Sequence, residues 1–151
     1  MRIFNDLDEF AAAAGENLGT SDWLTVTQER VNTFADATGD HQWIHVDPER
    51  AKDGPFKTTI AHGLLTLSLF PVLMHEIYEV KGLRMGLNYG LNKVRYPSPV
   101  PVGSAIRLHL SIGSVEQLDA NTVQAVMVGT MEIQGAAKPA CVLESIVRYI
   151  R

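Results

Sequence analysis

The chain is short of several things, and each shortage removes a class of protein. Its 151 residues include one cysteine, Cys141, so no internal disulfide can form and a disulfide-stapled scaffold is excluded. Thirteen Lys and Arg stand against seventeen Asp and Glu, a formal charge of −4. Without a basic excess, no nucleic-acid partner is expected. The most apolar stretch, Gly63 to Met74, is shorter than the roughly 20 residues a membrane-spanning helix needs, so it reads as a buried helix and no membrane association is expected. The opening residues Met1 to Asp6 turn acidic at once and carry no apolar signal core, which points to a cytoplasmic protein. There is no internal repeat or linker, and the loop-like segments Lys52 to Pro55 and Pro97 to Gly103 are too short to separate domains. One domain over residues 1–151 is the expectation. The sequence also has no phosphate-cradling glycine loop and no Gly-x-Ser-x-Gly nucleophile elbow.

What is there suits a globular core: 46% of the residues are hydrophobic and 20% charged. The first half reads helical. Leu7 to Ala14 forms a short Ala-rich helix ending at Gly15, and Asp22 to Val26 a strand or extended segment. Val31, Phe34, Ala35 and Thr38 make one helical stripe, with Thr27 as N-cap and Gly39 as left-handed C-terminal cap. A short helix starts at Pro48 with Asp47 as its cap. Asp40 to Val46 is then a connection anchored at both ends. A long buried helix runs from about Ala61-His62-Gly63 to Glu76, with a kink expected at Pro71.

The second half alternates with period two. Ile106, Leu108, Leu110 and Ile112 share a face, as do Val123, Ala125, Met127, Met131 and Ile133, and Cys141, Leu143, Val147 and Tyr149. This is the pattern of antiparallel strands with one buried face. An earlier strand covers Gly86 to Tyr96, and turns fall at Asp119-Ala120-Asn121 and Gly135-Ala136-Ala137. The fold class is α+β, an antiparallel sheet covering one apolar helix. Its open edge invites pairing with a second copy.

Two constellations can carry chemistry. Asp40 and His45, five residues apart in the anchored connection, can converge on one water molecule, and a positioned base contributes ~10²–10⁴-fold. The competing reading is that Asp40 caps a turn and His45 packs against Trp43. At Ile60-Ala61-His62-Gly63 a helix begins, and its unpaired amides can hold an oxygen that becomes negative. Alternatively, Gly63 only permits close packing, and the Thr66 and Ser68 hydroxyls bond back to the preceding turn. Lys93 and Arg95 share one side of a strand, as phosphate binding or a solvated face would both require. A metal site at Asp40, His41, His45 and Asp47 is weighed and set aside, because Gly39 argues against helix there and no Cys pair supports it. His75, His109 and Cys141 are read as core or surface residues without a role.

Taken together these segments resemble the MaoC-like (R)-specific enoyl-CoA hydratases. The residues that carry the resemblance are Phe34, Thr38-Gly39-Asp40, Ile44-His45 and Ala51, then Ile60-Ala61-His62-Gly63-Leu64-Leu65 with Ser68-Leu69-Phe70, then Arg95-Tyr96-Pro97-Ser98-Pro99-Val100 followed by Gly103. They span the chain from about residue 20 to the end. The departure is Gln42-Trp43, where the family usually has Asn-Pro. It bears on the loop backbone and the acyl pocket and leaves Asp40 and His45 in place.

The resemblance implies a hot-dog fold acting as a homodimer, and reversible hydration of a trans-2-enoyl-CoA to an (R)-3-hydroxyacyl-CoA without cofactor or metal. Asp40 and His45 would be the hydration pair, the Gly63 amide would hold the thioester oxygen, and Ser68 would support the loop or the pair from behind. Ile60, Ala61 and His62 are expected to line the substrate, and Lys93, Arg95 and Arg148 are the candidates for coenzyme A phosphates. Two alternatives share the fold: an acyl-CoA thioesterase, and a non-catalytic acyl-CoA-binding dehydratase subunit.

Overall fold

A computed structural model describes residues 1–151. Its elements follow in chain order as β1 (Arg2–Phe4), α1 (Leu7–Ala12), β2 (Asn17–Thr20), β3 (Leu24–Thr25), α2 (Gln28–Thr38), α3 (Trp43–Val46), α4 (Pro48–Ala51), α5 (Gly63–Ser68), α6 (Phe70–Ile77), β4 (Tyr78–Val80), β5 (Met85–Arg95), β6 (Ala105–Gln117), β7 (Thr122–Ile133) and β8 (Cys141–Ile150). The large sheet has the order β2-β6-β7-β8-β5, with β3 also on β6, and all its pairs are antiparallel. It curls around α5 and α6, which is the hot-dog arrangement. No helix is long and apolar enough to cross a membrane.

The alternation in β6, β7 and β8 is what closes the core. Ile106, Leu108, Leu110, Ile112, Val123, Met127, Met131 and Cys141 lie on the inner face, at most 1–2% exposed, against Leu69, Phe70, Leu73, Met74 and Ile77. Gly129 stands on that same face because a Cβ there would meet Phe70, Leu143 and Leu108 at 3.0–3.2 Å. The missing side chain lets the helix approach the sheet. At the other end of the helix Phe4, Phe10, Tyr78 and Tyr149 interlock, with Phe10 edge-on to Tyr149 at 5.3 Å. The Tyr78 and Tyr149 hydroxyls hydrogen-bond to each other, which satisfies two buried polar groups at once.

Several boundaries differ from the expectation. The long helix is two helices: α5 stops at Ser68 and α6 starts at Phe70, with Leu69 serving both. Pro71 falls in the first turn of α6, where a missing N–H is tolerated, so the chain breaks before the proline instead of kinking at it. The connection Asp40 to Val46 contains the single turn α3. Helix α1 ends at Ala12, two residues early, and the strand expected over Asp22 to Val26 shrinks to Leu24–Thr25. Strands β1 and β4 pair in parallel, a contact between distant segments that local patterning does not announce. Thr27 does cap α2, accepting from the Arg30 amide at 3.2 Å, and Gly39 closes it at φ 80°.

Strand β5 is the sheet's open edge. Met85, Leu87, Tyr89 and Leu91, at alternate positions, are 41–57% exposed. The α6 side chains Phe70, Leu73, Met74 and Ile77 are buried in the core. Leu73→Ala, at a fully buried position, is expected to lower unfolding free energy by about 2–5 kcal/mol in denaturant titrations, with an unchanged m-value.

Candidate active site

The site forms where the end of α2, the turn α3 and the start of α5 meet. The left-handed Gly39 ends α2 by donating its amide to the Ala35 carbonyl at 2.8 Å, and Asp40 follows directly. Helix α3 then carries His45 inward, where it is 7% exposed. Three contacts hold it there. His45 Nδ1 bonds to the Ile60 carbonyl at 2.7 Å, the Ile60 amide donates to the Ile44 carbonyl at 3.0 Å, and Gln28 Nε2 donates to the His45 carbonyl at 2.8 Å. Thr59 Oγ1 donates to Gln28 Oε1 and fixes that amide in turn.

These partners determine tautomers. A carbonyl can only accept, so His45 carries its hydrogen on Nδ1 and keeps a lone pair on Nε2. His62, the residue before α5, bonds through Nε2 to the Asp40 carbonyl at 2.9 Å, which leaves the Nδ1 lone pair free. The two imidazoles stack with centroids 3.9 Å apart and planes 25° from parallel. One ligating atom from each of Asp40, His45 and His62 lies within 4.8 Å of the other two. By distance the three could surround a cation. Nearly parallel stacked rings, however, keep their lone pairs in two nearly parallel planes, whereas a tetrahedral ion needs them to converge. The arrangement suits a shared water better than a chelated metal.

His45, Ile60, Ala61 and Gly63 line a cavity of about 310 Å³, with Thr66, Tyr96 and Val100 among its other walls. It is mostly apolar, as an acyl group requires. Gly63 is the first residue of α5, so its amide has no partner within the helix. A Cβ on it would meet the Tyr96 ring at 3.2–3.3 Å, so the glycine also allows that ring to pack close. Both readings of Gly63, exposed amide and close packing, are therefore compatible. Beside Tyr96, burial pushes the Cys141 thiol up to about 11, which leaves it unreactive near neutral pH.

Other expected site residues fall elsewhere. Ser68 Oγ donates to the Leu64 carbonyl at 2.7 Å, and its side chain lines a separate cavity of about 410 Å³ between α5, α6 and β5. The structure does not bring it to Asp40 and His45. Lys93 and Arg95 lie exposed on β5; Tyr96, which follows Arg95, lines the cavity, and neither Lys93 nor Arg95 does. Arg148 lies far along β8 on the outer face, with Nε donating to Gln124 and its guanidinium 3.4 Å over the Tyr89 ring, so it is not near the His45 cavity. The four-residue metal set does not assemble: His41 turns to Asp36 at 2.9 Å and Asp47 caps α4 by accepting from the Arg50 amide. Trp43 packs on Gly54 and beneath Arg50, away from His45. Asp40 Oδ1 does accept from the Gln42 amide, but at 3.4 Å, a weak turn cap. Gln28, Thr59 and Tyr96 had no assigned role from sequence. Gln28 and Thr59 act across 17 and 31 residues, distances at which spacing carries no signal.

His41 gives a check on this local geometry. Its hydrogen bond to Asp36, then the Gly39 carbonyl, raise its pKa above the ordinary 6.5. The charged pair with Asp36 therefore favours the folded chain below the ordinary value and loses that preference as pH rises through the folded one. An NMR titration is expected to show His41 titrating high, and Asp36→Asn to return it toward 6.5.

Comparisons with known proteins bear on the family and the fold. The model of the MaoC-like domain family matches residues 9–134. A relative named 3-hydroxyacyl-thioester dehydratase Z, from Mycobacterium tuberculosis (strain ATCC 25618 / H37Rv), is 63% identical over 150 residues, covering 99% of each chain. A solved monoamine oxidase regulatory protein from Archaeoglobus superposes with TM-score 0.80 at 22% identity, over 99% of this chain and 97% of its own. The (R)-hydratase of A. caviae involved in PHA biosynthesis superposes with TM-score 0.70 at 24% identity, over 88% and 96%. At those identities the two structures speak for the fold. The family match over most of the chain, with the 63% identical relative, shows that the chain belongs to the MaoC-like domain family.

Proposed function

We propose that the chain is a hydro-lyase that reversibly adds water to a trans-2-enoyl thioester, of coenzyme A in the first instance, to give the (R)-3-hydroxyacyl thioester. One observation carries the reading: the Asp40 carboxylate and the His45 imidazole meet within 4.8 Å, and His45 lines an apolar cavity together with Gly63, the first residue of α5. The name of the 63% identical relative, a 3-hydroxyacyl-thioester dehydratase, supports the same reaction class.

The chemistry follows from the geometry. The thioester carbonyl withdraws electrons from the double bond, so C3 accepts the water oxygen. His45 Nε2 and Asp40 take the water proton and return one to C2. As the C3–O bond forms, charge moves to the thioester oxygen, where an unpaired amide such as that of Gly63 stabilises it. No electron is gained or lost overall, so no redox cofactor is called for. The apolar walls exclude bulk water and strengthen each of these interactions.

The protein acts as one domain paired with a second copy. The exposed apolar row of β5 and its unpaired backbone edge fit an identical strand. Leu87→Lys with Leu91→Lys is expected to give a monomer in sedimentation velocity, while wild type sediments as a dimer.

The purified protein should remove the conjugated enoyl chromophore of crotonyl-CoA and form the (R) product on chiral analysis. Asp40→Asn and His45→Gln should each lower turnover by ~10²-fold or more with melting temperatures preserved. Free thiol released from a saturated acyl-CoA would replace this reading with thioester hydrolysis. Binding without turnover across chain lengths would replace it with a non-catalytic subunit.

A further inference from the structure

One buried side-chain polar atom lacks a hydrogen-bond partner, and it is His62 Nδ1. The residue is 3% exposed. Native proteins retain such an atom where a ligand or an ordered water completes it. The rest of the ring is fully committed. Nε2 donates to the Asp40 carbonyl at 2.9 Å, one face lies on His45 at 3.9 Å, and Phe34 packs at 5.0 Å. His62 thus touches both members of the pair without being either of them. If its role were only to fill space between Phe34 and His45, an apolar ring would serve without an unpaired nitrogen.

We infer that His62 is a positioning residue for the hydration site. Its Nε2–H holds the main chain of Asp40, its ring keeps His45 in plane, and its Nδ1 lone pair accepts a hydrogen from an ordered water of the site. The proton that moves in the reaction still passes between that water, His45 and Asp40. The His62 hydrogen bond to water is kept throughout, so no charge builds on its ring. The proposal rests on the hydration reading for its kinetic part and stands on tautomer geometry for the rest.

Three variants separate the contacts. His62→Gln keeps a donor near Nε2 and so the Asp40 tether. His62→Asn keeps a polar atom near Nδ1 and loses the tether. His62→Phe keeps only the ring face. With crotonyl-CoA, His62→Gln should lose roughly tenfold in kcat and His62→Phe on the order of a hundredfold, with KM and calorimetric binding of butyryl-CoA within about twofold of wild type. His62→Asn should fall below His62→Gln. Equal rates in wild type and His62→Phe, a loss confined to KM, or His62→Gln no better than His62→Asn would each overturn the proposal; the last comparison suffices should His62→Phe fail to fold. Long-range ¹⁵N spectra of the wild type read the tautomers independently of turnover. Hydrogen on Nε2 of His62 and Nδ1 of His45 is expected, and the reverse at His62 overturns the assignment. A wild type that hydrates no enoyl thioester, yet shows these tautomers, would fail the hydration reading and leave the positional one standing.

Discussion

The hydrogen bond from His45 to the Ile60 carbonyl is the constraint on which the site depends. It joins two segments fifteen residues apart, turns the imidazole so that Nε2 is the free acceptor, and brings α3 beside the start of α5. Without it a histidine on a single helical turn would have many rotamers, and a base is useful only when its lone pair is held in place. The surrounding bonds from Gln28 and Thr59 serve the same end. So a short, intrinsically weak turn is held by tertiary contacts, as short helices must be.

The sheet provides the setting for that turn. Its inner face is apolar along β6, β7 and β8, and it wraps a helix that is itself apolar, so the cavity at the start of α5 is walled mostly by apolar side chains. The same curvature leaves β5 open, with apolar side chains at alternate positions. A buried core face and an exposed apolar edge therefore arise from period-two patterning within one sheet.

Much of this was readable from the chain. The period-two runs in β6, β7 and β8 gave the faces correctly, and Thr27, Gly39 and Asp47 capped the helices that they were expected to cap. These features are local: a strand face needs alternation and a cap needs a side chain within three residues. The misplaced details were of two kinds. An apolar run through Pro71 predicts one kinked helix, but two short helices meeting at Leu69 place the proline in a first turn, where its missing N–H is tolerated. Ser68 and Arg148 were placed by motif and charge, and both were claimed by nearer partners, the Leu64 carbonyl and the Tyr89 ring.

The layered α+β plan, the strand faces, the caps and the presence of an acid and an imidazole in one anchored loop are legible in the chain, because each depends on residues close along it. That His62 stacks on His45 and ties down Asp40, that His41 and Asp47 turn away to Asp36 and the Arg50 amide, and that Ser68 faces a different cavity came from the folded chain. Those outcomes turn on which groups meet across many intervening residues, where a few ångströms and the direction of one carbonyl settle the chemistry and no periodicity records them.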